Sequence, residues 1–407
     1  MKIGIDCRLW NETGVGRYIR NLVEQLQVLD KKNEYVLFVL SKDREQINSQ
    51  LSTFNFQLVP VDIRWHSVEE QVKFPQILEK ENLDLMHFPY FSVPINYKRP
   101  FVITIHDLIL HHFGTGKAST LPLPLYKMKH AGYKYVLSQA VKNAQKIIVP
   151  LHTVRDDVLE TFGILEDKVV VTTEGVDTNL ISRMVSNKDR MDSNIFGKNS
   201  SNSGKGYFLY VGNAYPHKNL ERLIEAFKLV LERSDRISSG GVPIGLTPSR
   251  MTLVLVGKDD FFYKRLREKV EKMGLGDSVI FKHDVTDGEL ASLYKHANAL
   301  ISPSLMEGFG LPPLEAMALA CPVILSDIPS FREVCGNAAF YFNPYSADAI
   351  REKMEYVNGI TDKTRKEHMT RGLERVKNFS WKDMAQKTLS IYSSLMVSNK
   401  DRINSNT

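Results

Sequence analysis

The sequence predicts an α/β chain made of two doubly wound, parallel-sheet domains in series. Three observations lead there. Short apolar runs bounded by turn residues alternate with stretches whose apolar residues recur at helical spacing, the pattern of a parallel sheet with helices on both faces. The strand, glycine loop and helix that open the chain are repeated near residue 207. At 407 residues the chain also exceeds what one hydrophobic core usually supports.

The first strand is Ile3 to Ile5, followed by "CRLWNETGVGRY" with its glycine pair. Ile19, Leu22, Val23 and Leu26 then fall at i, i+3, i+4 and i+7, one face of a helix. "EYVLFVL", "LDLMHF", "PFVITIHDL" and "KIIVP" supply further strands, with helical stretches between most of them. Residues 182–206 are rich in Ser, Asn and Gly and read as linker or surface loop. "YFLYVG" restarts the pattern, with Leu220, Leu223, Ile224 and Phe227 again at helical spacing. "TLVLVG", "SVIFK", "NALISPS", "CPVILSD" and "AAFYF" complete the second set of strands. The expected division is 1–180 and 181–380, with an amphipathic helix at about 381–396 able to pack back on the first domain. Residues 233–250 read as a surface insertion. The tail "MVSNKDRINSNT" nearly repeats "MVSNKDRMDSN" of 184–194, and the repeat has no physical account.

The composition, 43% hydrophobic and 25% charged, is that of a globular protein with a sizeable core. The formal charge of +6 suits an anionic ligand or membrane surface without demanding either. No dense basic block with interleaved aromatics points to nucleic acid. Three scattered cysteines, Cys7, Cys321 and Cys335, make neither a disulfide framework nor a zinc site, which reads as reduced and cytoplasmic. The N-terminus has no signal-peptide pattern, and no apolar run is long enough to span a bilayer.

The chemistry concentrates in "EGFGLPPLEAMALA", 307–320. Glu307 and Glu315 would share a face if one helix held both, because a turn takes about 3.6 residues. Pro312 and Pro313 instead require the helix to start near Pro312. Glu307 is then expected on a loop and Glu315 in the first helical turn. Gly308 and Gly310 let the backbone approach a ligand closely. The helix start is an anion site whose usable amides are expected from Gly310, Leu311, Leu314 and Glu315. Glu315 taken alone reads equally as a dipole-stabilising residue.

This segment, extended through "CPVILSD", resembles the E-x7-E signature of the retaining GT-B glycosyltransferases of family 4. The resemblance runs through "TGVGRY", "VITIHDLI", "VTTEGVD" and "YVGNAYPHKNLERLIEAF". It is nearest to the subgroup that contains bacterial mannosyltransferases of O-antigen assembly. The resemblance implies two Rossmann-like domains facing across a cleft, the N-terminal one for acceptor and the C-terminal one for donor. It implies that Glu307 contacts donor-sugar hydroxyls, Glu315 binds the ribose, and the amides of Phe309, Gly310 and Leu311 face sugar and diphosphate. Lys218 matches the lysine that meets the diphosphate. Many members carry an arginine after the strand glycine, but here Asn213 follows Gly212, so His217, Arg17 or an amide would have to supply the remaining charge. His106 matches a histidine that touches donor sugar; without the resemblance it reads as a buried structural histidine. Gly14, Gly16 and Arg17 form a loop for phosphate or acceptor on the same basis, or a plain tight turn on their own.

No Asp-x-Asp occurs in the chain, so a metal-independent reaction with no cofactor is expected. The donor is a nucleotide sugar, with GDP-mannose suggested by the subgroup, and the acceptor is a glycan or lipid-linked saccharide. Residues 121–146 combine lysines with Leu125, Tyr126, Tyr133 and Tyr135. They read as a solvated helix with a core-facing stripe, or as a peripheral contact with the inner face of the plasma membrane. The rival readings are a catalytically inactive nucleotide-sugar-binding subunit and a non-transferring enzyme of the same architecture, such as a nucleotide-sugar epimerase.

Overall fold

In the computed structural model, residues 1–51, 56–114, 121–176, 206–239 and 251–404 are described. The 184–194 repeat copy, most of the 182–206 stretch and most of the 233–250 insertion lie outside them. The chain divides into two units, Met1–Gly175 with Phe379–Thr407, and Val176–Asn378.

The first unit holds a seven-stranded sheet: β1 (Lys2–Asp6), β2 (Glu34–Val39), β3 (Phe56–Pro60), β4 (Leu85–Phe88), β5 (Phe101–Thr104), β6 (Lys146–Val149) and β7 (Val169–Val171). Their order is β3-β2-β1-β4-β5-β6-β7 and every pairing is parallel. β4 and β5 are buried along their whole length, as a sheet covered on both faces requires. The two strands absent from the sequence reading are β3 and β7, the sheet edges. β3 is partly solvated and carries Gln57 and Pro60, and β7 has only three residues. An edge strand with one neighbour tolerates polar residues and proline, which erases the apolar run that marks a central strand.

The second unit holds β8 (Tyr207–Val211), β9 (Thr252–Val256), β10 (Val279–Lys282), β11 (Ala299–Ser302), β12 (Val323–Ser326) and β13 (Ala339–Phe342). The order is β10-β9-β8-β11-β12-β13, again all parallel. Leu220, Leu223, Ile224 and Phe227 enter its core as their spacing requires. In each sheet the strand order reverses once, between β1 and β4 and between β8 and β11. Open α/β sheets place ligands outside the strand ends at that reversal.

Helix Gly14–Leu29 buries Ile19, Leu22, Val23 and Leu26 completely. Its start corrects the sequence reading: Gly14, Gly16 and Arg17 lie in the first turn of the helix, not in a loop before it. A Cβ on Gly16 would come within 2.5 Å of the Trp10 carbonyl oxygen and 2.7 Å of that of Leu9. Gly16 is therefore required where the helix crosses backbone, whereas Gly14 has open space around it.

Helix Trp381–Asn404 belongs to the first unit. Met384, Ala385 and Tyr392 on it are fully buried. A Cβ on Gly175 would lie 2.3 Å from the Trp381 nitrogen, so this crossing too is backbone against backbone. Tyr392 Oη lies 2.6 Å from His87 Nδ1, and His87 Nε2 lies 2.8 Å from Thr104 Oγ1. Burial, with the charge of nearby His106, pushes the His87 imidazole down to about 3, so it is neutral.

Candidate active site

The second unit brings two predicted residues into direct contact. The chain leaves β8 through Gly212, at φ 149°, where a Cβ would meet Tyr210 Oη at 2.9 Å. The Tyr263 hydroxyl donates to the Gly212 carbonyl at 2.8 Å, and the Tyr210 hydroxyl to the Asn213 carbonyl at 2.7 Å. A single 3-10 turn, Pro216–Lys218, follows and is stopped by Asn219 in the left-handed region at φ 59°. Asn219 Nδ2 donates to the carbonyls of Pro303 (3.0 Å) and Pro344 (2.8 Å), and Leu305 N–H donates to the His217 carbonyl at 2.8 Å. These bonds tie the loop after β8 to the loops after β11 and β13.

The result is an ion pair at the strand-order reversal. Lys218 Nζ donates to both carboxylate oxygens of Glu307, at 2.8 and 2.7 Å, and Ser304 Oγ donates to Glu307 Oε1 at 2.6 Å. The two side chains are 16% and 12% exposed, open enough to meet a ligand and sheltered enough to feel each other's charge. Burial alone would raise the Glu307 carboxyl. The charge and hydrogen bonds of Lys218 and the bond from Ser304 outweigh it, so Glu307 sits below the ordinary carboxylate range and is ionised. His217 is pushed down to about 4 by burial and by Lys218, so it adds no charge to the pair.

Beyond Glu307, Gly308 and Phe309 are buried and Gly310, at φ 86°, caps helix Leu311–Ala318. The helix therefore begins one residue before Pro312. Glu315 is its fifth residue, in the second turn and not the first. The Leu314 and Glu315 amides fall inside the helical hydrogen-bond ladder, and Pro312 and Pro313 have none, so the outward amides reduce to Gly310 and Leu311. Glu315 is 2% exposed and its Oε2 accepts from Tyr294 Oη at 3.0 Å.

His106 lies in the first unit, in the loop after β5. Its Nδ1 is 3.0 Å from Glu174 Oε1, and its Nε2 is 3.0 Å from the Pro89 carbonyl oxygen. The Tyr18 ring meets it edge-on at 4.9 Å. Both ring nitrogens thus already face protein acceptors. Ser304 and Glu174 carried no assignment in the sequence. Ser304 stands three residues before Glu307, the spacing of a local side-chain hydrogen bond, and Glu174 stands just past a strand end. Among the described residues no group of three His, Cys, Asp or Glu side chains is arranged to hold a metal. No described helix is long and apolar enough to cross a membrane.

The fold aligns over 98% of the chain with the whole of sucrose-phosphate synthase from Thermosynechococcus elongatus, at TM-score 0.72 and 18% identity. Two tandem parallel-sheet domains with the E-x7-E segment after a central strand define a glycosyltransferase of the GT-B architecture. The family model described as "Glycosyltransferase Family 4" matches residues 13–180, and that described as "Glycosyl transferases group 1" matches residues 191–371. The two matches tile the chain, which belongs to the family 4 glycosyltransferases. Escherichia coli O-antigen chain mannosyltransferase B is 27% identical over 93% of this chain and 96% of its own length. O-antigen chain mannosyltransferase RfbU of Salmonella typhimurium is 26% identical over 73% of this chain and 71% of its own.

Proposed function

We propose that this glycosyltransferase moves a hexose from a nucleotide sugar to a hydroxyl of a glycan or lipid-linked saccharide, with retention at the anomeric carbon. Mannose from GDP-mannose is the leading donor, because both relatives carry mannosyltransferase names. The observation that carries the reading is the Lys218–Glu307 pair, preset at the strand-order reversal. Glu307 accepts from the sugar hydroxyls while Lys218 meets the diphosphate, whose charge grows as the glycosidic bond breaks. The Gly310 and Leu311 amides, with the backbone of Gly212, Asn213, Gly308 and Phe309, line the donor's path, and Glu315 accepts from the ribose. The helix start at Gly14, Gly16 and Arg17 serves acceptor or phosphate on the first unit. The departing phosphate oxygen takes the acceptor's proton, so neither glutamate acts as a nucleophile. With no Asp-x-Asp pair in the chain, Lys218 and backbone amides carry the diphosphate charge that a metal would otherwise meet.

Glu315→Gln keeps an acceptor for Tyr294 but removes the charge that strengthens bonds from the ribose hydroxyls. It is expected to weaken donor binding about 5- to 20-fold, measured as a smaller donor-induced rise in melting temperature, with turnover at saturating donor little changed. Unchanged donor affinity would remove Glu315 from the site.

The peripheral reading of 121–146 finds support in helix Leu123–Asn143. Leu123, Leu125, Met128 and Tyr135 are exposed beside exposed Lys127, Lys129 and Lys134. Apolar side chains flanked by ammonium groups suit the surface of an anionic bilayer. The protein should co-float with phosphatidylglycerol-containing vesicles at low salt and not with pure phosphatidylcholine. Lys127→Glu/Lys134→Glu should abolish the difference, and equal behaviour toward both vesicle types would reject this contact.

A further inference from the structure

We infer that Glu174 is a positioning residue that holds His106 as an imidazolium, and that this cationic ring is the form the reaction uses. The inference rests on the reading that His106 belongs to the active site. Its physical basis is a count of hydrogens. Glu174 Oε1 and the Pro89 carbonyl oxygen each stand 3.0 Å from a different nitrogen of the ring. A carbonyl only accepts, and an ionised carboxylate only accepts. A neutral imidazole has one N–H, so it would set a nitrogen lone pair against an oxygen lone pair where the His106 side chain is only 13% exposed, leaving a polar group poorly satisfied. One additional proton on the pair satisfies both contacts, and it rests on the imidazole as the more basic partner.

The surroundings agree with this count. The groups facing the ring are Glu174 after β7, Asp107 beside it in the chain, Tyr18 from helix Gly14–Leu29, and His87 from β4. Burial pulls the imidazole toward neutrality. The hydrogen bond and charge of Glu174, the Pro89 carbonyl and Asp107 together outweigh it, so the ring is raised above its ordinary value. His87 is neutral and does not compete for the charge. Because the folded value is raised, the pair's contribution to stability is complete below pH about 6.5. It is lost as pH rises through the His106 value.

Two consequences follow for the chemistry. A ring protonated on both nitrogens cannot take the acceptor's proton, which leaves that proton to the departing phosphate oxygen. Its two N–H groups are also committed to protein, so its effect on a ligand is that of a fixed positive charge. The clamp joins the ends of β4, β5 and β7, and Glu174 is the one partner whose charge a substitution can remove without changing shape.

Full-length protein labelled at histidine is titrated by NMR, with His106→Gln assigning the resonance, and the transfer rate is followed across the same pH range. The expected result is a doubly protonated His106 at pH 7 in the native protein. In Glu174→Gln the midpoint should fall by about 1 or more, with the alkaline limb of kcat moving to lower pH by the same amount. Glu174→Asp should restore part of both. A neutral His106 at pH 7, or a midpoint unmoved in Glu174→Gln, overturns the inference. A shifted midpoint with an unmoved alkaline limb overturns the catalytic use of the cation. Absence of transfer by the native protein from any donor counts against the proposed function instead, and the NMR arm still decides the state of the ring.

Discussion

Lys218→Ala should lower turnover about 100- to 1000-fold, the loss usual when one preorganised charge-stabilising donor is removed. The donor's apparent affinity should change much less. The ammonium does not have to be organised when donor arrives, since Asn219 stops the turn that carries it and both oxygens of Glu307 hold it. An interaction that strengthens only as diphosphate charge develops appears in kcat more than in KM. The substitution also strips Glu307 of its cation. Because Glu307 titrates below its ordinary value, it stabilises the fold above pH about 4.5 and loses that contribution as pH falls through the lowered value. Lys218→Ala should therefore begin acid unfolding at a higher pH than the native protein, visible by circular dichroism. Turnover within about threefold of native, in a folded variant, would show that the lysine does not meet the developing charge.

Arg8→Met should destabilise the first unit by about 3–5 kcal/mol, the cost of breaking a buried ion pair from one side. The Arg8 side chain is 1% exposed, and Glu70, which accepts from it at 2.6 Å, is completely buried. Asp6 accepts from the same guanidinium at 2.8 and 2.6 Å, and the Ile63 carbonyl accepts at 3.1 Å. Glu70 Oε2 also accepts from Ser92 Oγ at 2.5 Å. Removing the cation leaves two carboxylates facing each other with little water. Asp6 is 12% exposed, so solvent screens part of its share, and Glu70 dominates the loss. Replacing the three groups together, as Arg8→Met/Asp6→Leu/Glu70→Leu, should recover much of the stability, since no buried charge then remains. Denaturant unfolding measures both variants. A loss under about 1 kcal/mol for Arg8→Met would mean that water reaches the cluster.

Most of the architecture was legible because its signals are local. The apolar runs of β1, β2, β8, β9, β11 and β12 and the i, i+3, i+4, i+7 residues of the two leading helices state their own burial. The edges β3 and β7 were not legible, because a strand with one neighbour need not be apolar. Helix starts were read too late, by several residues at Gly14 and by one at Leu311, and the second altered chemistry: beginning at Leu311 moves Glu315 to the second turn and cuts the outward amides to two. Gly16 illustrates a different limit. The sequence marks a glycine but not its reason, and the reason is the backbone of Leu9 and Trp10 beneath it. The Lys218–Glu307 contact joins residues 89 positions apart, and sequence could nominate each partner but not the bond. Glu174 was invisible for the same reason, lying 68 positions from the histidine it holds.

Transfer from a nucleotide sugar is the property on which the proposed function rests. Purified protein should be given a panel of nucleotide sugars with lipid-linked and free glycan acceptors, in excess EDTA, while nucleoside diphosphate release and product anomeric configuration are followed. Acceptor-dependent release is expected, fastest with GDP-mannose, undiminished by EDTA and giving the donor's own α or β configuration in product. No release from any donor, or release abolished by EDTA, or an inverted product, would contradict it.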